Sequence, residues 1–332
     1  MNSRSNIFQG VVTSKDEVLR LDRAIVEILD IEISRNVAAR LIREGRAKVD
    51  GEVVTKPSVM PKKGQTIVLE VPRPSVPEKG SLLEPRVLFE DEYFAILDKP
   101  AGLLMHPNTQ YGTDPSVASW LESRQATSLP TGQGDERPGI VHRLDRGTSG
   151  VCLVAFEKDS FDNLLAQFAE RKIRKEYRAV VYGKPRFVSN RIEKRLTSDA
   201  KHPGRVCVTD STRIGTRDAV SDYEVLETFD NFAYLRVEPR TGRKHQIRVH
   251  LASEELPILG DPFYRVGKFH PALLPRHCLC PDRPLLHAYS ISFQHPFTGE
   301  GMSYCVEEPD DMVEIRQFLS QSTSALEGGD SV

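Results

Sequence analysis

The first seventy residues combine two helical patterns of apolar positions with short strand patterns. Apolar side chains recur at the spacing of one helical face in two stretches. Ser34 is placed to cap the second helix, and Gly45 is placed to end it. An Asp-Gly pair between apolar residues then predicts a hairpin over 48–54, and 66–71 is typical of a further strand. These elements predict a small α/β domain over residues 18–72. The inward positions are Leu21, Ile25, Ile28 and Leu29 in the first helix and Val37, Ala38, Leu41 and Ile42 in the second.

The segments on either side of this domain are polar or rich in proline. Residues 1–17 lack an apolar core segment, so they predict a flexible N-terminus without a secretory signal. Residues 72–80 contain three prolines and almost nothing to bury, which predicts a semi-rigid linker over 73–82. A larger domain is predicted over 83–319, followed by a disordered tail over 320–332.

The larger domain mixes strand and helix patterns. Residues 151–156 form an uncharged run of β-branched and bulky side chains, which predicts a strand covered on both faces. An amphipathic helix is predicted over 158–172, and the alternating segment 175–183 predicts another strand. The segment 187–216 is basic and too weakly patterned to assign. This mixture predicts an α+β fold class.

Composition is that of a globular protein, but the charge is unevenly distributed. The 332 residues carry a formal net charge of −2, and no stretch approaches the roughly 18 apolar residues that cross a membrane. Five cysteines form no regular framework, which favours a reducing, cytoplasmic location. Between Arg171 and Arg205, however, twelve Lys or Arg stand against three acidic residues, whereas the tail beyond Cys305 is acidic. The local excess of cations predicts a polyanionic ligand.

A single carboxylate lies between two guanidinium groups in residues 142–150, HRLDRGTSG. Arg143 and Arg146 flank Asp145, and nearby cations favour the ionised form of a carboxylate. Asp145 is therefore a candidate nucleophile, in a loop that leads into the predicted buried strand. A turn cap or a structural ion pair explains the same residues more readily on physical grounds alone.

Basic residues also cluster in two further places that suit an RNA backbone. The second predicted helix and its exit carry cations at spacings of three and four, and the start of the 175–183 strand carries another group. A solvated basic surface without a ligand is the alternative in both places. The candidate RNA-binding residues are Arg35, Arg40, Arg43, Arg46 and Lys48 in the first cluster, Lys172, Arg174 and Lys175 in the second, and Arg143 and Arg146 beside Asp145.

Several stretches resemble known families. The run SRNVAARLIREGRAKVDGEVV over 34–54 resembles the RNA-binding domain first described in small-subunit ribosomal protein four. Four others resemble the RluA-type pseudouridine synthases, in particular their RluC/RluD-like members that carry such an N-terminal domain. These four are LDKPAGLLMHPN at 97–108, HRLDRGTSG at 142–150, the K-x-Y-x-A pattern at 175–179 and TGRKHQIR at 241–248.

The resemblance implies a fold and a set of catalytic residues. The larger domain is expected to be a pseudouridine synthase domain on a mixed, mainly antiparallel sheet with flanking helices and a central cleft. Asp145 matches the catalytic aspartate of the family, and Tyr177 matches the tyrosine that would stack on the target uracil. Arg243 is expected to pair with Asp145 and to fix its orientation and charge. Arg143 is a candidate for the space that a flipped base leaves.

The implied reaction isomerises uridine to pseudouridine within structured RNA, with large-subunit ribosomal RNA as the favoured substrate. The base is detached, turned and rejoined through carbon 5, so the stoichiometry requires no cofactor. Asp145 could attack the anomeric carbon of ribose or carbon 6 of uracil, or assist elimination to a glycal. The alternatives are a non-catalytic RNA-binding or ribosome-assembly factor, a glycosylase, and transfer RNA as the substrate.

The histidines and cysteines do not predict a metal site. His245 and His250 are five residues apart and so fall on different faces of a helix. The His and Cys residues between 277 and 287 lack the usual zinc spacing. The expected partner is RNA, without a metal or a membrane, and a monomer is the default expectation.

Overall fold

The chain folds into two compact units. The first comprises residues 1–81, 106–126 and 132–138, and the second comprises residues 82–105, 127–131 and 139–332. The computed structural model describes residues 5–13, 19–29, 35–72, 83–107, 114–124, 129–132, 137–202, 204–265 and 281–327.

The first unit contains a four-stranded antiparallel sheet and helices. The sheet has the strand order β1-β4-β2-β3. Most of the predicted inward positions that the structure describes are buried, with Leu21, Ile25 and Leu41 in one cluster with Ile67 of the sheet. Burial of each such side chain contributes about 1.5–3 kcal/mol. The elements are β1 (Ser5–Val11), α1 (Leu21–Ile28), α2 (Arg35–Arg43), β2 (Ala47–Val49), β3 (Glu52–Val54), β4 (Thr66–Pro72) and α3 (Val117–Arg124).

The second unit is built on one large sheet. Its elements are β5 (Arg86–Glu90), β6 (Phe94–Lys99), β7 (Ser149–Ala155), α4 (Lys158–Ala169), β8 (Arg174–Tyr182), β9 (Ser189–Ser198), β10 (Val206–Thr209), β11 (Arg217–Phe229), β12 (Phe232–Pro239), α5 (Gln246–Ser253), β13 (Leu286–Gln294), β14 (Gly301–Cys305) and α6 (Asp310–Glu327). The strand order is β10-β9-β11-β12-β8-β13-β7-β6-β5, and β14 pairs with β13 beside this path. Among the described residues, β13 and β7 are the parallel pair, and the other pairs of this sheet are antiparallel. This architecture confirms the predicted α+β class with a mixed, mainly antiparallel sheet.

The central strands and the helices that cover them form the interior of the second unit. All seven residues of β7 are buried, as the uncharged run predicted. On α6, Met312 and Ile315 pack in a cluster with Val180 of β8. On α5, Val249 packs in a separate cluster with Leu196 of β9. These contacts fix the strands and the helix that carry the functional side chains described below.

Two predicted disordered segments are partly ordered. Residues 1–17 were expected to be flexible, but residues 5–11 form β1, because the segment pairs with β4 along seven residues. The tail over 320–332 was expected to be disordered, but α6 continues to Glu327 beyond its buried apolar face. The weakly patterned segment 187–216 contains β9 and β10. The predicted linker 73–82, the cap Ser34 and residues 277–280 lie outside the described residues. Among the helices that the structure describes, none has the length and apolar character of a membrane span.

Candidate active site

The loop that carries Asp145 is fixed at both ends. Leu144 is buried beside it, and the Thr148 amide donates to the Asp145 carbonyl at 3.0 Å, which closes a turn. The loop enters β7 at Gly150, whose φ is +112°. A Cβ at this position would lie 2.2 Å from the Ala288 carbonyl oxygen of β13, so only glycine allows the two strands to approach this closely.

A buried lysine supports the same loop. Lys99 is wholly buried, and its Nζ donates to the carbonyls of Leu103 at 2.9 Å, Pro100 at 3.0 Å and Arg146 at 3.4 Å. Burial lowers the pKa of Lys99 to about 8. These bonds join the Pro-Gly corner after β6 to the residue that follows Asp145.

Arg248 of α5, rather than Arg243, is the cation that pairs with Asp145. Its Nη1 donates to Asp145 Oδ2 at 3.0 Å. Its Nε and Nη2 donate to the two oxygens of Asp261, at 2.7 and 2.9 Å. The side chains of Arg248 and Asp261 are only 5% and 1% exposed, whereas that of Asp145 is 18% exposed. Asp261 therefore holds the guanidinium in place, and the guanidinium presents Nη1 to the more accessible carboxylate.

The opposite charges of Arg248, Asp261 and Asp145 stabilise the ionised form of the buried pair. Burial alone would lower the pKa of Arg248, but hydrogen bonds and attraction from Asp261 and Asp145 raise it overall. Burial alone would raise the pKa of Asp261, but the hydrogen bonds from Arg248 lower it overall. Both partners of the buried pair are therefore ionised near neutral pH.

The prediction that Arg243 pairs with Asp145 is wrong, because Arg243 lies in the turn before α5. Its side chain is exposed, and its Nε donates to the Asp218 carbonyl at 3.2 Å. Its amide donates to Gln246 Oε1 at 3.0 Å, a bond that helps begin the helix. Arg248 was recognisable from the sequence as a cation within the apolar helical run 247–251, since a buried charge requires a partner.

Tyr177 lies on β8 and faces the same site. It is 8% exposed, and burial, followed by the charge of Asp145, raises the pKa of its phenol. The hydroxyl is therefore protonated at neutral pH.

His245 approaches Asp145 from the other side in a strained conformation. Its φ of +53° lies in the left-handed region, which a residue other than glycine occupies at a cost. The Val206 amide donates to Tyr264 Oη at 3.1 Å, and Tyr264 Oη lies 2.8 Å from His245 Nδ1. A hydroxyl proton donated to Nδ1 favours the tautomer that carries the ring proton on Nε2, the nitrogen that faces the Asp145 carboxylate. His245 Nε2 lies 3.9 Å from Asp145 Oδ1. Burial lowers the pKa of His245 to about 4, so a neutral ring faces the carboxylate.

A cavity of about 490 Å³ lies in front of these groups. Asp145, Tyr177, Arg243 and Arg248 all line it. Arg143 also lines it and is exposed. Its volume is in the range of small-ligand sites, and its wall is rich in cations. The structure thus brings the three predicted catalytic residues to one cavity, although Asp145 pairs with Arg248 and not with Arg243 as predicted.

The other predicted RNA-binding residues differ in how far they are neutralised. In the second unit, Arg146 donates to the Gly102 carbonyl at 3.1 Å, and Lys172 pairs with Glu170. Arg174 is exposed, and Lys175 is partly buried. In the first unit, Arg35 pairs with Asp22, Arg46 pairs with Glu44 and Glu70, and Arg43 and Lys48 are exposed, while the Arg40 side chain lies outside the described residues.

Comparison with known proteins also relates this chain to pseudouridine synthases. A family model described as RNA pseudouridylate synthase matches residues 93–253, and the S4 domain model matches residues 19–67. An Aquifex aeolicus protein named as an uncharacterized RNA pseudouridine synthase is 34% identical over 326 residues, which cover 96% of this chain and 98% of that protein. Ribosomal large subunit pseudouridine synthase D of Zymomonas mobilis is 34% identical over 315 residues, which cover 93% of this chain and 96% of that protein.

Solved structures support the fold. Human RNA pseudouridylate synthase domain containing 4 aligns with a TM-score of 0.53 and 25% identity over 70% of this chain and 92% of its own. Human RNA pseudouridylate synthase domain containing 1 aligns with a TM-score of 0.55 over 75% of this chain and 97% of its own; at 22% identity, it supports the fold alone. The chain belongs to the RNA pseudouridylate synthase family, with an S4 domain at its N-terminus.

Proposed function

We propose that this pseudouridine synthase acts on large-subunit ribosomal RNA and uses Asp145 as its catalytic carboxylate. The observation that carries the proposal is the Asp145 side chain, held by the buried Arg248 in a basic cavity that Tyr177 also lines. The names of relatives such as the Z. mobilis protein support a ribosomal substrate. The proposal includes a cytoplasmic location, in keeping with the free cysteines Cys152 and Cys207.

The target uridine enters the cavity as a flipped base. Extrusion of a base from a duplex costs a few kcal/mol, less for a base in a loop, and phosphate contacts offset that cost. Arg143 is exposed beside the cavity and is our candidate for the space that the base vacates. Tyr177 stacks on the uracil and holds the ring while it turns.

The reaction breaks the bond from C1′ to N1 and forms one from C1′ to C5. The hydrogen on C5 leaves, and N1 gains a proton, so atoms and charge balance without a co-reactant. Asp145 attacks C1′, attacks C6 of uracil, or assists elimination to a glycal; each route requires an anionic, oriented carboxylate. Arg248 and Asp261 supply that orientation.

The substrate assignment is tested by mapping pseudouridines in total RNA from cells with and without the gene. We expect one or a few sites in large-subunit ribosomal RNA to revert to uridine. Loss confined to transfer RNA would overturn the ribosomal substrate but keep the enzyme class. Release of free uracil by the purified protein would instead indicate a glycosylase.

The catalytic role of Asp145 is tested with Asp145→Asn, which keeps the shape of the side chain and removes its charge. RNA carrying [5-³H]uridine releases tritium to water when C5 bonds to ribose, so tritium release measures turnover directly. We expect turnover to fall at least about a thousandfold, because the reacting group itself is lost. RNA affinity and the thermal midpoint should change little. Turnover near the wild-type rate would remove Asp145 from the mechanism.

A further inference from the structure

A second cavity, of about 470 Å³, adjoins the catalytic one. The two share a wall that includes Arg171, Ile173, Lys175 and Pro239. The two cavities are therefore neighbours on the surface of the second unit.

Lys175 is a partly buried cation in this shared wall. Burial lowers the pKa of its ammonium group to about 8, and its charge adds to the burial that lowers the pKa of His142. Its Nζ lies 5.6 Å from the Phe168 ring centre. Within the described part of the chain, the ammonium group of Lys175 has neither a carboxylate partner nor a hydrogen-bond acceptor. A lysine that is partly withdrawn from water is ordinarily paired, so this ammonium group is available to an anionic ligand.

The other cations of the second cavity separate into neutralised and free groups. Arg191 and Arg240 donate to the two oxygens of Asp222, at 2.7 and 2.6 Å. Arg171 and Arg174, by contrast, have no carboxylate partner among the residues that the structure describes. The two arginines of this cavity without a carboxylate partner therefore lie close to Lys175 in sequence.

The backbone of Arg171 is also unfavourable. It follows α4 with a φ of +58°, at the helix end where glycine is the preferred residue. Strained residues of this kind cluster where a side chain must be presented to a ligand. The arginine lines both cavities.

We propose that Lys175, with Arg171 beside it, binds the phosphodiester that adjoins the flipped uridine, and that the second cavity receives the neighbouring nucleotide. The inference rests on the proposed function, because it assumes that uracil stacks on Tyr177. Lys175 and Tyr177 lie two residues apart on one face of β8, a separation of about 7 Å. A nucleotide whose base stacks on Tyr177 therefore places its own sugar-phosphate backbone near Lys175. The negative charge of a phosphate in that backbone can then pair with the Lys175 ammonium group.

The test uses five-nucleotide RNAs with a single central uridine between adenosines and a fluorescent 3′ end. One RNA is unmodified, and three carry one uncharged methylphosphonate linkage: 5′ of the uridine, 3′ of the uridine, or at the first linkage of the strand. Fluorescence anisotropy at low salt, with the Asp145→Asn substitution in every protein so that the RNA is not turned over, gives each affinity. With Lys175 unchanged, we expect one of the two adjoining replacements to weaken binding about tenfold, since a hydrogen bond between charged groups is lost. The linkage affected identifies the side from which the backbone enters.

Substitutions then assign the effect to Lys175. In Lys175→Met, the unmodified RNA should bind about tenfold more weakly, and the methylphosphonate should add no further loss. Lys184→Met is the matched control, because Lys184 is exposed, pairs with Asp230 and lines neither cavity; it should keep the full discrimination. Lys175→Arg keeps the charge and should retain the discrimination, which also guards against a folding defect in the Met variant. Equal losses at every linkage with Lys175 unchanged, or undiminished discrimination in Lys175→Met, would overturn the proposal. An error in the ribosomal substrate would leave these affinities unchanged, because the assay contains no ribosomal sequence and no reaction.

Discussion

At the scale of single residues, the site depends on which arginine meets Asp145. Arg248 lies within a buried helix and contacts two carboxylates, whereas Arg243 is exposed and meets a backbone carbonyl. A guanidinium can bind Asp261 through two nitrogens and still offer a third to Asp145, which an ammonium group cannot do.

We therefore predict opposite outcomes for two conservative substitutions. Arg248→Lys should lower kcat about a hundredfold, because a carboxylate that is displaced by about 1 Å loses its alignment with the reacting carbon. Arg243→Lys should leave kcat within about threefold and act mainly on KM, as expected of a side chain that contacts substrate rather than Asp145. Tritium release from [5-³H]uridine RNA measures both. A larger loss of kcat in Arg243→Lys than in Arg248→Lys would contradict the assignment.

The proton on His245 gives a second prediction at this scale. A hydrogen bond donated by the Tyr264 hydroxyl to Nδ1 favours the tautomer with the proton on Nε2, which faces Asp145. Tyr264→Phe removes that hydroxyl, so the ring should shift towards the tautomer with its proton on Nδ1. We expect kcat to fall about fivefold, because the Asp145 carboxylate then loses the polar N–H group that faces it. The ¹⁵N chemical shifts of the His245 ring distinguish the tautomers directly. An unchanged ¹⁵N spectrum in the variant would show that Tyr264 does not control the proton.

At the scale of elements, the local sequence pattern predicts the positions of strands and helices well. It does not predict which strands pair with each other, or which side chains face each other across a pair. The helix predicted over 158–172 spans Lys158–Ala169, and the strand predicted over 175–183 spans Arg174–Tyr182. The cations between Arg171 and Arg205 are a different case. Antiparallel pairing of β9 with β11 places Asp218 opposite Arg195 and Asp222 opposite Arg191. Two of the twelve cations are thus neutralised by strand neighbours that lie more than twenty residues away in sequence.

The junction of β7 and β13 is the element-scale feature that most directly supports the site. Gly150→Ala would place a methyl group against the Ala288 carbonyl oxygen, at a φ that favours glycine. We expect a loss of about 3 kcal/mol in the free energy of unfolding, from steric overlap and backbone strain together. Turnover should also fall, because the Asp145 loop leads directly into this strand.

Gly301→Ala in β14 is the matched control, since a Cβ there has open space around it. Urea unfolding of the two variants measures the difference. Equal stability of the two variants would mean that β7 and β13 can separate at no cost.

At the scale of the whole molecule, sheet order assembles a site from distant parts of the sequence. Asp145 precedes β7, Tyr177 lies on β8, and Arg248 follows β12; these strands occupy neighbouring positions in the order β12-β8-β13-β7. The motifs were recognisable one by one. Their meeting point was not derivable from local pattern, because β13 comes from about a hundred residues downstream and inserts between β7 and β8.

The histidines of the second unit make its stability depend on pH. Burial lowers the pKa of His245 and His250 from 6.5 to about 4, and burial together with the charge of Lys175 lowers that of His142 to about 3. Burial shifts the pKa of His287 in the same direction. The unfolded chain therefore binds more protons than the folded chain below pH 6.5. Stability is full above that pH and is lost as the pH falls towards 4.

We predict that the free energy of unfolding falls steeply between pH 6.5 and 4.5. Each buried histidine contributes up to about 1.4 kcal/mol per pH unit in this window. His142→Gln keeps an acceptor for the Leu153 amide, which donates to His142 Nε2 at 2.9 Å, but it cannot take up the proton. The variant should therefore lose about 1.4 kcal/mol per pH unit from the slope. Urea unfolding of both proteins at half-unit pH intervals gives the two slopes. Parallel slopes would mean that His142 is already exposed to solvent protons in the folded enzyme.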